Sequence, residues 1–218
     1  MAHALASVIE YYNYHQAQND EIMSVGYIYG NRTSSQHKGK GMVVRDALAD
    51  ICKSGDVKHS LFPYNKEVPE IIDLFEMEKD TLFQEGYPNR VSQYCRVYDT
   101  NSIKTALMSG KPVVFAITWY RDMKVVNGIL TTEYKSPSGG HCMIIYGWNE
   151  QGWKVQNSWG ENWGNHGCMI MPYSIKIIES WVITDDVVEK VIIKKPWLNS
   201  KIIAKLINFI VNLFKIKR

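Results

Sequence analysis

The sequence predicts an α+β protein in which a helical half is followed by a half built from antiparallel strands. Near the start of the chain, small and apolar residues recur at helical spacing, whereas after His141 apolar residues alternate as they do in a half-buried strand. The composition is that of a soluble globular protein, with 45% hydrophobic and 22% charged residues, and 218 residues are enough to bury a sizeable core.

The helical half is predicted to span residues 1–95. Its first helix begins at Ala2 and runs to about Tyr12. One broad face of this helix carries the small and apolar residues Ala2, Leu5, Ala6 and Ile9. Because small side chains let a helix approach its neighbours closely, we expect this helix to lie deep in the core.

Two further helices are predicted in this half. The first covers residues 41–52 and is closed by Gly55, and the second covers residues 68–77 with Pro69 in its first turn. The polar run at 78–90 contains a glycine and a proline, so it is predicted to be a loop or a boundary.

The strand-rich half is predicted to span residues 96–186. It starts with the end of a strand and a short helix, which has Thr100 or Asn101 as its N-cap and ends at Gly110. An apolar strand follows. Residues 120–132 are predicted to be irregular and to lead into the next strand.

Two strands around a glycine-flanked turn bring the most informative residues together. Gly147 and Gly152 bracket the turn, so the flanking segments can pair as a hairpin with His141 beside Asn157. The side-chain oxygen of an Asn can accept a hydrogen bond from one ring nitrogen of a His and fix the imidazole. The other nitrogen then faces a thiol, which is the arrangement of a Cys-His-Asn nucleophilic site.

Three segments in this region resemble those of the papain-like cysteine peptidases. Gly-His followed by an apolar run and Gly lies at 140–147, Asn-Ser-Trp-Gly at 157–160, and Trp-Gly-x-x-Gly at 163–167. The resemblance runs from Ala2 to about Thr184. It implies a papain-like α+β fold, with the active-site cleft between a helical half and an antiparallel β-barrel-like half, and hydrolysis of peptide bonds through a thioester.

The resemblance also assigns roles to single residues. It makes His141 the catalytic base and Asn157 the residue that orients it, with Trp159 covering their hydrogen bond from water. The substrate-binding residues that it implies are Gly41, Met42 and Gly140. Met42 stands where a second Gly is common in the family. Peptides or proteins are the expected substrates, and no metal or cofactor is implied.

The nucleophile of the family does not appear in this sequence. The helix around Ile9 and Glu10 resembles the family's Cys-x-Ala…Ile-Glu helix, which places Met1 one residue after the catalytic Cys, and the oxyanion-hole Gln would lie further upstream. Cys142 directly follows His141 on a predicted strand, so its sulfur is expected to face away from the imidazole. All four cysteines are interpreted as structural residues.

Two hypotheses about function therefore remain open. In the first, the chain is a cysteine peptidase whose native form begins upstream, so that the present chain is truncated and inactive. In the second, it is a non-catalytic papain-fold protein that binds a peptide or another partner. The first is favoured because a decayed enzyme need not keep His141, Asn157 and Trp159. A different Cys-His-Asn acyl-transfer enzyme fits the Asn-Ser-Trp-Gly context less well.

The C-terminal segment differs from the body in charge. Seven Lys or Arg and no acidic residue occur from Lys194 onward, which leaves −4 on residues 1–193 because the whole chain carries +3. This argues against a body that binds nucleic acid. Residues 194–218 are predicted to form a basic amphipathic helix, and the part from Lys201 to Arg218 suits a membrane surface or a partner groove. Packing on its own domain and self-association are the alternatives.

Cysteine and histidine usage indicates neither a metal site nor a disulfide scaffold. The four cysteines show no C-x-x-C spacing, and no signal peptide is recognised at the start of the sequence. We therefore expect a reducing, cytoplasmic location, with peripheral membrane association if the tail binds lipid. The histidines without ligand spacing are His3, His15, His37, His59 and His166.

Overall fold

The first half of the chain is helical in the structure, a computed structural model that describes residues 1–32, 41–65 and 67–185. Its helices are α1 (Ala2–Ala17), α2 (Val25–Gly30), α3 (Val44–Ser54) and α4 (Val68–Gly86), followed by a 3₁₀ turn at Tyr87–Asn89. Their apolar faces meet in one buried cluster, in which Leu5, Tyr27, Leu48 and Phe75 are among the most deeply buried side chains.

The second half, as far as residue 185, contains one helix and eight strands in a single sheet. The elements are β1 (Gln93–Val97), α5 (Thr100–Met108), β2 (Val113–Tyr120), β3 (Val125–Val126), β4 (Ile129–Leu130), β5 (Pro137–Trp148), β6 (Gly152–Gln156), β7 (Cys168–Pro172) and β8 (Glu179–Thr184). The strand order is β1-β8-β2-β5-β6-β7-β4-β3, and the pairs are antiparallel except for β4 with β7. The predicted α+β class is confirmed.

Strand β5 separates two buried cores. Cys142 and Ile144 pack with the helical cluster, whereas Met143 and Ile145 pack into a second cluster inside the strand-rich half. This division follows from the two-residue period of a strand, which sends successive side chains to opposite faces. His141 shares its face with Met143, and therefore points away from the face that carries Cys142.

Helix α1 connects the two halves. Leu5 is completely buried and Ala2, Ala6 and Ile9 are almost so, as the pattern of small and apolar residues predicts. Val8, which lies outside the predicted face, is completely buried as well. The Tyr12 hydroxyl donates a hydrogen bond of 2.6 Å to the Ile183 carbonyl in β8, and the Tyr11 hydroxyl donates one of 2.6 Å to the Gly110 carbonyl. These bonds fix the helix against β8 and against the turn between α5 and β2, as well as against its own cluster.

The predicted loop at 78–90 is wrong, because α4 continues to Gly86. The helix continues because Leu82 is fully buried and Phe83 packs edge-on against Phe75, so the apolar stripe persists through a polar stretch. The helix ends where a Cβ built on Gly55 would lie 2.0 Å from the Gly86 carbonyl oxygen. That close approach requires a glycine at 55.

Two local predictions in the strand-rich half are also wrong. The N-cap of α5 is Asp99, whose carboxylate accepts a 2.9 Å hydrogen bond from the Ser102 amide, and not Thr100 or Asn101. The segment 120–132 is not wholly irregular, because β3 and β4 pair across Asn127 and Gly128, both of which have positive φ. An Asn-Gly pair is typical of such a two-residue hairpin.

The predicted C-terminal helix at 194–218 lies outside the described residues, and its binding to a membrane surface or a partner groove stays a prediction. Within the part of the chain that the structure describes, none of the helices is long and apolar enough to cross a membrane.

Asp56 is a fully buried carboxyl group in the helical half. The Val57 amide donates a 2.8 Å hydrogen bond to Oδ1, while Oδ2 has no hydrogen-bond partner among the described residues. Burial raises the pKa of Asp56 well above its usual value, and the nearby Glu10 carboxylate acts in the same direction, whereas the hydrogen bond from the Val57 amide lowers it. Burial therefore favours the neutral form of this carboxyl group.

We predict that Asp56→Asn removes a pH-dependent loss of stability. The pKa of Asp56 is higher in the folded state than in the unfolded state, where it is about 3.9. The contribution of Asp56 to the free energy of unfolding is therefore complete only below about pH 3.9 and is lost as the pH rises through the folded-state pKa. A neutral amide does not titrate, so the variant gains stability relative to the parent as the pH rises above about 4. Thermal unfolding followed by circular dichroism measures this difference.

The matched control is Asp73→Asn, which changes an exposed acid on α4 and should leave the pH dependence of the parent unaltered. Parallel pH profiles for the parent and Asp56→Asn would show that the carboxyl group of Asp56 does not titrate abnormally.

Candidate active site

The hairpin of β5 and β6 forms as the sequence predicts. Ile144 lies opposite Gln156 and Ile145 opposite Val155, and the register then shifts before Gly147. Asn157 follows β6 directly, where its amide donates a 2.9 Å hydrogen bond to the Gly167 carbonyl. The backbone on both sides of Asn157 is thereby fixed next to β5.

This register brings His141 and Asn157 into contact. The distance between His141 Nε2 and Asn157 Oδ1 is 2.8 Å. The Ser158 amide also donates a 2.8 Å hydrogen bond to Oδ1, which identifies this atom as the amide oxygen. Because an amide oxygen only accepts, Nε2 carries the proton and Nδ1 of the neutral ring is left as an acceptor. That is the tautomer which can take a proton from a thiol.

Trp159 covers the imidazole from one side. Its indole stacks on the His141 ring with a centroid distance of 4.7 Å and an interplanar angle of 27°. The outer part of the indole remains in solvent, since 45% of Trp159 is exposed. The stacking limits rotation of the imidazole and reduces its contact with water.

The pKa of His141 is lowered from its usual value. Burial is the main cause, and the positive amino group of Met1 acts in the same direction, whereas the hydrogen bond to Asn157 opposes both. The imidazole is therefore neutral at physiological pH and able to act as a base. The effect of Met1 also indicates that the N-terminus of α1 lies within electrostatic range of this ring.

None of the four cysteines, all of which lie in described ranges, is brought to the imidazole. Cys142 is buried on the opposite face of β5, and burial raises its pKa to about 11. Cys52 lies on α3 with a pKa raised to about 11 by burial, Cys95 is exposed on β1, and Cys168 starts β7 beside the Tyr146 hydroxyl. The expectation that Cys142 faces away from His141 is confirmed.

The predicted substrate-binding residues lie in two places. Gly140 directly precedes His141, and no described atom lies within 4 Å of a Cβ built there or at Gly139. The space beside this part of β5 is therefore open. Gly41 is exposed before α3, and Arg32 Nη1 donates a 3.1 Å hydrogen bond to its carbonyl. Met42 is partly buried against the helical cluster.

Two more tryptophans, one in contact with the imidazole and one in contact with Trp159, were not assigned a role from the sequence. The Trp119 ring lies edge-on to the His141 ring at a centroid distance of 5.3 Å, and Trp163 contacts Trp159 at 5.2 Å. Trp163 was noted only as part of a motif. Trp119 comes from β2, and its nearness to His141 depends on a strand pairing that local sequence does not reveal.

We predict that Asn157→Ala lowers the pKa of His141 further. The hydrogen bond that His141 donates to Asn157 is the contribution that raises this pKa, so its loss leaves burial and the Met1 charge unopposed. The variant also loses the acceptor that selects the Nε2–H tautomer, so both tautomers of the His141 ring should be populated. Side-chain ¹⁵N–¹H spectra of His141 recorded over a pH series measure both effects.

Gln156→Ala is the control, because Gln156 is the exposed neighbour of Asn157 on β6. It should leave the His141 signals unchanged. An Asn157→Ala variant with the pKa and tautomer of the parent would show that the hydrogen bond does not orient the ring.

Comparison with known proteins identifies the family and supports the fold. Residues 2–189 match the family model described as papain family cysteine protease. An uncharacterized peptidase C1-like protein of Acanthamoeba polyphaga mimivirus is 33% identical over 98 residues, and a gut-specific cysteine proteinase of Caenorhabditis elegans is 34% identical over 82 residues. These matches cover 38% and 35% of the chain but only 31% and 25% of the two relatives.

Solved structures of other proteins are similar in fold to a larger part of this chain. Xylellain, a cysteine protease from Xylella fastidiosa, is 25% identical with a TM-score of 0.73 and matches 85% of this chain and 78% of its own. Bromelain from Ananas comosus shares the fold with a TM-score of 0.58 at 19% identity, over 85% of this chain and 88% of its own. Since the family model covers most of the sequence and the folds agree, this chain belongs to the papain family of cysteine proteases.

Proposed function

We propose that this chain is the part of a cysteine peptidase that supplies the catalytic base, and that the peptidase cleaves peptide or protein substrates. The observation that supports this most strongly is the 2.8 Å contact between His141 Nε2 and Asn157 Oδ1, because it leaves Nδ1 ready to accept a proton from a thiol. The thiol is proposed to belong to a cysteine directly before Met1. Papain-family proteases act on peptides and proteins, so this substrate class is the natural expectation.

The position of α1 supports the placement of the thiol. Met1 is the N-cap of this helix of 16 residues, and its amino group influences the pKa of His141. The free amides and the dipole at a helix N-terminus stabilise a negative charge, such as that of a thiolate. A residue preceding Met1 would thus have both a base and a favourable field beside it.

In this mechanism, His141 Nδ1 takes the proton of the thiol, and the thiolate sulfur attacks the carbonyl carbon of the scissile bond. As the carbon–nitrogen bond breaks, the imidazolium gives its proton to the leaving amine, and a thioester remains. The imidazole then takes a proton from a water molecule, whose oxygen attacks the thioester. Release of the acid and return of the proton to sulfur complete the cycle. Asn157 holds the ring through each transfer.

A non-catalytic role is the second candidate. The observation that favours it is the placement of the four thiols, since none of them faces His141 and two have their pKa raised to about 11 by burial. In that case the open space beside Gly139 and Gly140 would bind a peptide or partner without cleaving it. The matched segments cover less than a third of the two curated relatives, so activity and substrates are both part of the proposal.

We predict that residues 1–218 alone do not hydrolyse peptides, because the nucleophile is absent from this stretch. The measurement is the release of a fluorophore from a set of peptide substrates under reducing conditions. His141→Ala is the control for contaminating activity. Turnover by the parent that disappears in His141→Ala would contradict the prediction, since another group would then be serving as the nucleophile.

The two candidate functions differ in the N-terminus of the protein made from its natural gene. Intact mass and terminal peptide mapping determine it. A chain that extends upstream through a cysteine next to Met1 supports the peptidase, whereas a chain that begins at Met1 supports the binding protein.

A further inference from the structure

Two tryptophans, Trp119 and Trp159, contact the imidazole, and a third, Trp163, contacts both of them. We call these three residues the tryptophan cluster. Trp119 contacts the His141 ring at 5.3 Å with an interplanar angle of 71°. It also contacts Trp159 at 4.8 Å and 86°, and Trp163 at 6.4 Å and 56°. Trp119 therefore touches the imidazole and both of the other indoles.

The register between β2 and β5 explains how Trp119 reaches the ring. Ile117 lies opposite His141, and Trp119 lies opposite Gly139. Trp119 thus shares a face with His141 and is its diagonal neighbour, at a spacing of about 7–8 Å that an aromatic side chain can bridge. Because Gly139 has no side chain, no side chain of β5 directly opposite Trp119 competes for the space beside the imidazole.

The contacts restrict the imidazole from different directions. Asn157 holds Nε2, and Trp159 stacks on the ring at an angle of 27°. Both contacts oppose a turn of the ring about its bond to Cβ, a motion that would exchange the positions of the ring nitrogen and carbon atoms. A third group that packs edge-on to the ring opposes this turn.

We infer that Trp119 is a positioning residue, which packs against His141 and Trp159 and holds the imidazole with Nε2 on Asn157. For catalysis this role rests on the proposed peptidase function, because only there does Nδ1 meet a thiol. The ring geometry itself is independent of a nucleophile. Trp119 also contributes to the burial that lowers the pKa of His141.

The test uses the full chain and the side-chain ¹⁵N–¹H spectrum of His141, assigned with His141→Gln. In the parent, we expect a single tautomer with the proton on Nε2. Trp119→Val should give a mixture of tautomers and a pKa of His141 that rises toward about 6.5, because the ring becomes more hydrated. Valine is β-branched and suits a strand, so the sheet should be retained.

Two further variants make the result specific. Trp119→Phe keeps an aromatic ring at this position and should retain the single tautomer. Trp148→Val removes a tryptophan seven residues along β5 from His141, about 23 Å away, and should leave its signals unchanged. The direction of the change in the His141 pKa also distinguishes the two residues, because Trp119→Val should raise this pKa whereas Asn157→Ala should lower it.

The inference is overturned if Trp119→Val keeps the tautomer and pKa of the parent, or if Trp148→Val changes them equally. These spectra require no nucleophile. A chain that proves to be a binding protein would therefore refute the peptidase proposal while leaving the positioning of His141 by Trp119 to be decided by the spectra alone.

Discussion

The hydrogen bond between His141 and Asn157 is the interaction on which the candidate site depends. It exists because the turn between Gly147 and Gly152 sets the register of β5 and β6, and because the Gly167 carbonyl fixes the amide of Asn157. The bond in turn selects the tautomer of the imidazole and opposes the loss of its basicity on burial. Chemistry at this site thus follows from strand pairing at a distance from the ring.

The fold places this pair at the junction of two cores. Strand β5 sends Cys142 toward the helical cluster and Met143 toward the core of the strand-rich half. The same alternation directs His141 away from Cys142, so the adjacent thiol cannot serve it. Helix α1, which is held to β8 by the Tyr12 hydroxyl and to the turn before β2 by the Tyr11 hydroxyl, brings its N-terminus within electrostatic range of the imidazole.

Features encoded by local patterns could be predicted from the sequence. The hairpin followed from its flanking glycines and from alternating apolar residues, and α1 followed from its small-residue face. The continuation of α4 was missed because only Leu82 and Phe83 mark it within a polar stretch. The contact of Trp119 with the imidazole could not be predicted, since it depends on the pairing of β2 with β5, which local sequence does not specify.

The most direct test of the account measures the reactivity of a thiol placed before Met1. The chain is extended by a short leader that ends in cysteine, and alkylation of each cysteine by iodoacetamide is followed against pH by peptide mass spectrometry, with exposed Cys95 as an internal reference. The account predicts that the added cysteine reacts as a thiolate well below the ordinary thiol pKa of about 8.5, and that His141→Ala abolishes this advantage. An added cysteine that titrates like Cys95 in both chains would contradict it.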